Sequence, residues 1–228
     1  MIEVTLNECM GDDLTVANAA RVSFRKKSSY MPRVHMGEPK VLRHEDRKLI
    51  VFLAKEKHIS PFGHCFVSFH VKAPVFVARQ LVKHSFLRWN EVSRRYVDDA
   101  PEFYVPEVWR GRSADKKQGS EGEVKGVDPH VAAIMVEGSL QDYKYLLAKG
   151  VAPEQARMVL PQSTMTEFYW SGSLDAFASM CVLRLKDDTQ YETRLVAQQI
   201  DEVMSDLFPV SWSALMGHDD GEGYIPYA

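Results

Sequence analysis

Residues 79–95 gather Arg79, Lys83, Arg88, Arg94 and Arg95, with His84 beside them and Glu91 as the sole acid of the segment. Five cations against one anion, in a chain of net charge −3, is a local concentration of positive charge. A run of charge is most often a solvated helix face. Here Phe86, Leu87, Trp89, Asn90 and Tyr96 interleave with the cations, so the segment is not a plain polar face. The planar guanidinium fork suits phosphate and uracil-like imides. A small phosphorylated ligand is the chemistry expected there.

Two further arginines stand among apolar residues. Arg157 lies between Ala156 and Met158, and Arg184 between Leu183 and Leu185. A buried charge needs a partner. Glu154, one helical turn before Arg157, and Asp187 or Asp188 after Arg184 would be structural partners; a ligand anion or carbonyl is the functional alternative. Among the histidines, His64 and His70 share a strand face. Six residues at about 3.3 Å each separate them by roughly 20 Å, too far to share an ion. No metal site is expected. The chain has no phosphate-binding P-loop, no Gly-x-Gly-x-x-Gly and no Gly-x-Ser-x-Gly. Any phosphate must be held by arginines, lysine, hydroxyls and helix N-termini.

These side chains need elements to hold them. Residues 12–22 read as a short helix, and 25–43, with Pro32, Gly37 and Pro39, as a loop. Residues 45–57 read as an amphipathic helix with Leu49, Ile50, Phe52 and Leu53 on one side. Residues 64–71 alternate, with Cys65, Val67, Phe69 and Val71 on the core face. A helix is expected from Pro74, with Val75, Ala78, Val82 and Phe86 as its apolar stripe and Gln80, Lys83, His84 and Arg88 beside it. Residues 110–125 read as a long solvated loop, and 110–127 as mobile. Helices are expected at 129–149, 153–159, 174–185 and 190–207, and a strand at 164–170. Helices with few strands, not regularly alternating, predict an α+β fold with a small, mainly antiparallel sheet, in one domain spanning 1–228.

Composition agrees with a folded chain: 228 residues, 45% hydrophobic and 26% charged. The near balance of charge argues against a nucleic-acid coat. Cys9, Cys65 and Cys181 form neither a disulfide framework nor a zinc motif, and point to a reducing, cytoplasmic setting. No apolar run reaches the ~18 residues of a membrane span, and residues 1–10 lack the apolar centre of a signal peptide.

Six stretches then fall in one order: 19–23 (Ala-Ala-Arg-Val-Ser), 58–62 (His-Ile-Ser-Pro-Phe), 69–80, 90–96 (Asn-Glu-Val-Ser-Arg-Arg-Tyr), 156–161, and Leu183-Arg184 followed by Gln190, Tyr191 and Glu192. With them the chain resembles the flavin-dependent thymidylate synthases over most of its length. The hallmark of that family is Arg-His-Arg, seven residues, then Ser. Here it reads Lys83, His84 and Ser85, with Ser93 after the seven-residue gap. Lys83 keeps a charge without the bidentate fork, and Ser85 keeps none.

The resemblance implies reductive methylation of dUMP to dTMP, with methylenetetrahydrofolate giving the carbon, reduced FAD the hydride, and NADPH reducing the flavin. It implies Arg184 and His58 as catalytic residues, Arg184 stabilising the ionised uracil N3. It places FAD against Ser23, Ser60, Lys83, His84, Ser85, Glu91, Ser173, Asp175 and Ser179; Arg88, one turn beyond Ser85 where the family usually has a small residue, is read as a compensating FAD contact. It places dUMP against Gln80, Lys83, Glu91, Ser93, Arg94, Arg95, Arg157 and Arg184. It also implies a homotetramer with active sites shared between chains. Two other readings stand beside it: a nucleotide-binding relative that has lost tight flavin binding, and a nucleic-acid-binding module using 79–95 and 110–125. If Arg88 replaces the charge missing at Ser85, Arg88→Ala weakens FAD more than dUMP in equilibrium titrations. Equal losses reject the compensation.

Overall fold

Alternating apolar residues build the centre of the molecule. The computed structural model describes residues 1–32, 40–97, 99–114, 119–128 and 130–218. Its strands are β1 (Glu3–Met10), β2 (Phe66–Pro74), β3 (Leu87–Glu91), β4 (Arg110–Arg112), β5 (Ser120–Glu123) and β6 (Met165–Ser173). Its helices are α1 (Asp13–Arg21), α2 (His44–Lys55), α3 (Val75–Leu81), α4 (Val131–Ala148), α5 (Pro153–Ala156), α6 (Leu174–Arg184), α7 (Tyr191–Leu207) and α8 (Pro209–Met216). The long strands make one antiparallel sheet in the order β1-β2-β6-β3, so the fold is α+β as expected.

The core face read from 65–71 is fully buried. Phe69 faces Trp170 and Val71 faces Phe168 across the β2–β6 pair. Phe177 of α6 stands edge-on to Phe69 and Trp170, with centroids 5.2 and 5.5 Å apart. Val16, Ile50 and Val196 from other helices, and Phe208 between α7 and α8, complete this core. The opposite sheet face is polar, with Ser171 donating to Ser68 at 2.8 Å and His70 beside Glu167 at 3.0 Å. A sheet covered on one side alternates in this way.

Local signals explain several element ends. Asp12 caps α1 in a reciprocal box with Thr15. Gly150, at φ 81°, follows the end of α4. The helix α8, which the sequence did not suggest, starts with Pro209, and the buried Asp13 accepts from the amides of Val210 and Ser211 at 3.0 and 2.8 Å. This carboxylate satisfies two backbone donors that would otherwise be buried without partners.

Other expectations change. Residues 3–10 form an edge strand, hidden in the sequence because alternation is weak and Leu6 is left 36% exposed. Phe52 of α2 is exposed rather than in the core, where Ile50 and Leu53 lie. Within 110–127, Arg110–Arg112 and Ser120–Glu123 pair as the β4–β5 hairpin, whose strand β5 is exposed along its length, while 115–118 lie outside the described residues. The 153–159 helix is α5 followed by a 3-10 turn at Arg157–Val159. Residues 25–32 and 40–43 are without regular structure apart from the turn at Arg25, while 33–39, with Gly37 and Pro39, lie outside the described residues, as does Pro129.

The largest correction concerns 74–88. The helix ends at Leu81, so Val82 and Phe86 do not continue a buried stripe; both are exposed. The chain reverses through Phe86, at φ 65°, an uncommon conformation for a bulky residue. It then runs back as β3, which lays Trp89 on Phe168 with centroids 3.6 Å apart. Burying the indole beside Phe168 and Trp170 outweighs a further helical turn that would bury only Val82 and Phe86.

That reversal depends on Gly172. A methyl group there would collide with Leu87 Cδ2 and press on the Phe86 carbonyl oxygen at 3.2 Å. Gly172→Val is expected to destabilise the fold by about 1–3 kcal/mol through overpacking. Gly172→Ala should cost less, because the end of the Leu87 side chain can move. Urea denaturation measures both, and unchanged midpoints contradict the role.

Candidate active site

Arg184 closes α6, where burial lowers its pKa from the usual value. Its Nε–H donates to His84 Nε2 at 2.9 Å. Neither Asp187 nor Asp188 takes the partner role considered for it; Asp187 lies 3.9 Å from Arg194 instead. Among the described residues Arg184 has no carboxylate partner, so its charge is not neutralised. Arg184, Lys83 and Gln80 line a cavity of about 950 Å³. Gln80 is held by Thr193, whose hydroxyl donates to its Oε1 at 3.2 Å, and by Gln190.

The cavity has two kinds of wall. Phe76, Tyr104, Val108 and Trp109, with Met135 and Val136 of α4, supply an apolar and aromatic side. Lys83, Arg184 and Arg110 supply the cations. Arg110 is tied to the buried Glu192 on the first turn of α7, and its guanidinium lies 4.0 Å from the Tyr191 ring centroid. Tyr104 donates to Glu192 at 3.2 Å, and burial, with the Glu192 charge, pushes its pKa up to about 12. A cavity with aromatic walls and an unneutralised guanidinium fits a planar heterocycle carrying polar oxygens.

A second cavity, of about 480 Å³, gathers other expected residues: Glu91, Arg94 and Arg157. Arg94 pairs with Asp99 at 2.7 Å. Arg157 is exposed, and its Nε donates to the backbone oxygen of Glu154 at 3.2 Å, not to the carboxylate considered for it. Glu91 accepts from Thr166 at 2.7 Å and from the Trp89 indole at 3.1 Å. Arg95 Nε donates to Ser93 Oγ at 3.3 Å. One chain therefore divides the expected substrate contacts between two cavities: Gln80, Lys83 and Arg184 in one, Glu91, Arg94 and Arg157 in the other.

A third group surrounds the start of α6. Ser173 is its N-cap, Asp175 is in its first turn, and Ser179 donates to the Asp175 carbonyl at 2.9 Å. This end is about 15 Å from Arg184 along the helix. Asp175 Oδ1 is buried without a hydrogen-bond partner, near Gly63 of the 3-10 turn that begins at Ser60. Lys83, Ser85 and Arg88 are exposed on the reversal, and neither cation is in an ion pair among the described residues. An orphaned acceptor and two free cations fit a dinucleotide, which brings hydroxyl and amino donors and a pyrophosphate. Ser23 and His58 are exposed and line neither cavity; the His58 ring stands edge-on to Phe52 at 6.0 Å.

Sequence reasoning missed Tyr104, Trp109 and Arg110 as cavity walls. Arg110 and Glu192 are 82 residues apart, and Arg110 fell in a stretch that read as solvated.

A family model described as thymidylate synthase complementing protein matches residues 5–210. A flavin-dependent thymidylate synthase of Thermus thermophilus is 39% identical over 218 residues, covering 94% of this chain and 76% of its own. One from Kosmotoga olearia is 36% identical over 217 residues, covering 93% and 89%. Among solved structures, the UMP/dUMP methylase PolB of Streptomyces cacaoi, bound with 5-Br dUMP, is 30% identical with a TM-score of 0.79, covering 95% of both chains.

Glu192→Ala is expected to release the β4–β5 hairpin, because it leaves Arg110 without its carboxylate. Proteolysis within 110–123 should then speed up about tenfold or more, as local opening costs less. An unchanged rate contradicts the anchoring role.

A match over most of the length, together with relatives above 30% identity that span nearly the whole chain, shows that the chain belongs to the thymidylate synthase complementing protein family, that of the flavin-dependent thymidylate synthases.

Proposed function

We propose that this chain is a flavin-dependent thymidylate synthase that methylates dUMP reductively to dTMP. The observation that carries the reading is Arg184, a partly buried guanidinium with no carboxylate partner among the described residues, at the wall of a cavity that also holds Gln80 and Lys83. A fixed positive charge beside the uracil imide favours its ionised form, and this makes C5 nucleophilic toward the methylene carbon of methylenetetrahydrofolate. Reduced FAD, held by residues from the Lys83–Arg88 reversal and the start of α6, supplies hydride when bound, and NADPH is the source of its electrons. Lys83, Arg94 and Arg157 hold the nucleotide phosphate. His58, placed with Ser23 and Ser60 outside both cavities, acts toward the folate and flavin. The dUMP analogue bound by the PolB neighbour supports the nucleotide assignment.

The division of substrate contacts between two cavities supports a site assembled from two chains, in a homotetramer. The helix α4 supports it too. It is apolar on most sides, yet Ile134 and Met135 are 66% and 69% exposed. Exposed apolar residues on one helix mark a surface for association. One continuous core supports a single domain over 1–228. Three free cysteines support a reducing, cytoplasmic setting. Among the described residues no helix is long and apolar enough to cross a membrane.

The purified protein should turn yellow with FAD and oxidise NADPH faster when dUMP is added. Arg184→Ala should keep flavin and lose at least ~100-fold in turnover, as removal of a charge-stabilising donor does. Arg157→Ala should weaken dUMP binding. Chains carrying Arg184→Ala and chains carrying Arg157→Ala, co-expressed, should recover about a quarter of wild-type sites if they assort at random between two-chain sites. No recovery would place both residues in a site within one chain.

A further inference from the structure

The bond between Arg184 and His84 joins residues 100 apart in the sequence. An arginine nitrogen only donates, so His84 must accept at Nε2 and carry its single proton on Nδ1. His84 lines neither cavity, whereas Arg184 lines the larger one. We propose that His84 is the positioning residue of Arg184: its neutral imidazole fixes Nε, leaves the two terminal amino groups for the uracil imide, and lets go when it is protonated. This rests on the reading of Arg184 given above.

The chemistry favours an imidazole over a carboxylate at this place. An aspartate would hold the guanidinium equally well but would cancel the charge that the imide anion needs. Elsewhere the protein does use carboxylates: Asp46 holds Arg21 and Glu192 holds Arg110. Those arginines are neutralised, and among the described residues nothing neutralises Arg184. A neutral acceptor orients the fork and leaves its full charge.

The surroundings keep His84 in the accepting form. Burial and then the Arg184 charge both lower its pKa from the usual 6.5. From β6 the packed neighbour is Trp170, with ring centroids 6.5 Å apart. On its own segment Lys83 and Arg88 are exposed, and from α6 the facing charge is Arg184. These groups are cationic or neutral, so none favours the imidazolium. At neutral pH the imidazole accepts. As pH falls through its lowered pKa, Nε2 gains a proton, donor meets donor, and Arg184 loses its anchor.

Histidine-selective nitrogen NMR of the apo-protein tests the bond without turnover. The expected result is a neutral His84 protonated at Nδ1, titrating below 6.5, and moving up toward that ordinary value in Arg184→Ala. Steady-state kinetics, with FAD saturating, tests the consequence. His84→Ala should lower kcat about tenfold to hundredfold, as small misplacements of catalytic groups do, with a smaller change in KM for dUMP. His84→Gln, whose Oε1 accepts without titrating, should recover most of kcat and flatten the acid limb of its pH profile. The double variant His84→Ala with Arg184→Ala should be no slower than Arg184→Ala alone. A neutral His84 protonated at Nε2, a full kcat in His84→Ala, or an unchanged acid limb in His84→Gln each overturns the proposal. A loss in His84→Ala that excess FAD restores makes His84 a cofactor contact and also overturns it. Full activity in Arg184→Ala removes the catalytic reading of Arg184 itself, whereas an inactive Arg184→Ala beside an unaffected His84→Ala removes only the positioning role.

Discussion

The close approach of the 82–86 reversal to β6 is the constraint on which the site depends. A side chain at Gly172 would have to displace the end of Leu87 and would press on the Phe86 carbonyl. That contact lets β3 join the sheet and bury Trp89 against Phe168 and Trp170. It also turns the chain so that His84 meets the last residue of α6. A longer helix through 88 would have kept the same cations on one face. It would not have brought His84 and Arg184 together. The αL conformation of Phe86 is local strain retained because the packing around it is favourable.

Charge is handled in two ways within one chain. Arg21 meets the fully buried Asp46 at 2.6 Å, and Arg110 meets the buried Glu192; both are structural pairs. Arg184, Lys83, Arg88 and Arg157 have no carboxylate partner among the described residues. A partly buried cation without a counter-ion is costly in the free protein. Of these four Arg184 is the partly buried one, and retaining it at a cavity wall is the arrangement expected where an anionic ligand supplies the missing charge. The net charge of −3 shows nothing of this, because acids elsewhere balance the sum.

The two cavities relate to the exposed apolar surface. Met135 lines the larger cavity and is itself largely exposed, and Met158, beside Arg157, is 79% exposed. Exposed apolar side chains thus stand in or beside both cavities. The polar sheet face differs, since its His70, Lys72 and Glu167 are already paired with one another or with Glu102.

The residue pattern by itself determined the α+β class, the buried face of β2, most helices and the chemical character of the 79–95 segment. These depend on short-range periodicity and composition, which a strand or an isolated helix expresses locally. The ordered motifs also carried the family, and with it an expected set of site residues. What only the tertiary structure decided was grouping. It separated Arg184 from Arg157 into different cavities, and gave Arg184 a histidine rather than Asp187 or Asp188. It ended the third helix at Leu81, because the aromatic partners that draw Trp89 into β3 lie some 80 residues later in the chain. It turned a stretch that looked solvated into the hairpin that sets Arg110 against Glu192. Each of these outcomes is set by contacts between distant segments, whose energies no local window contains.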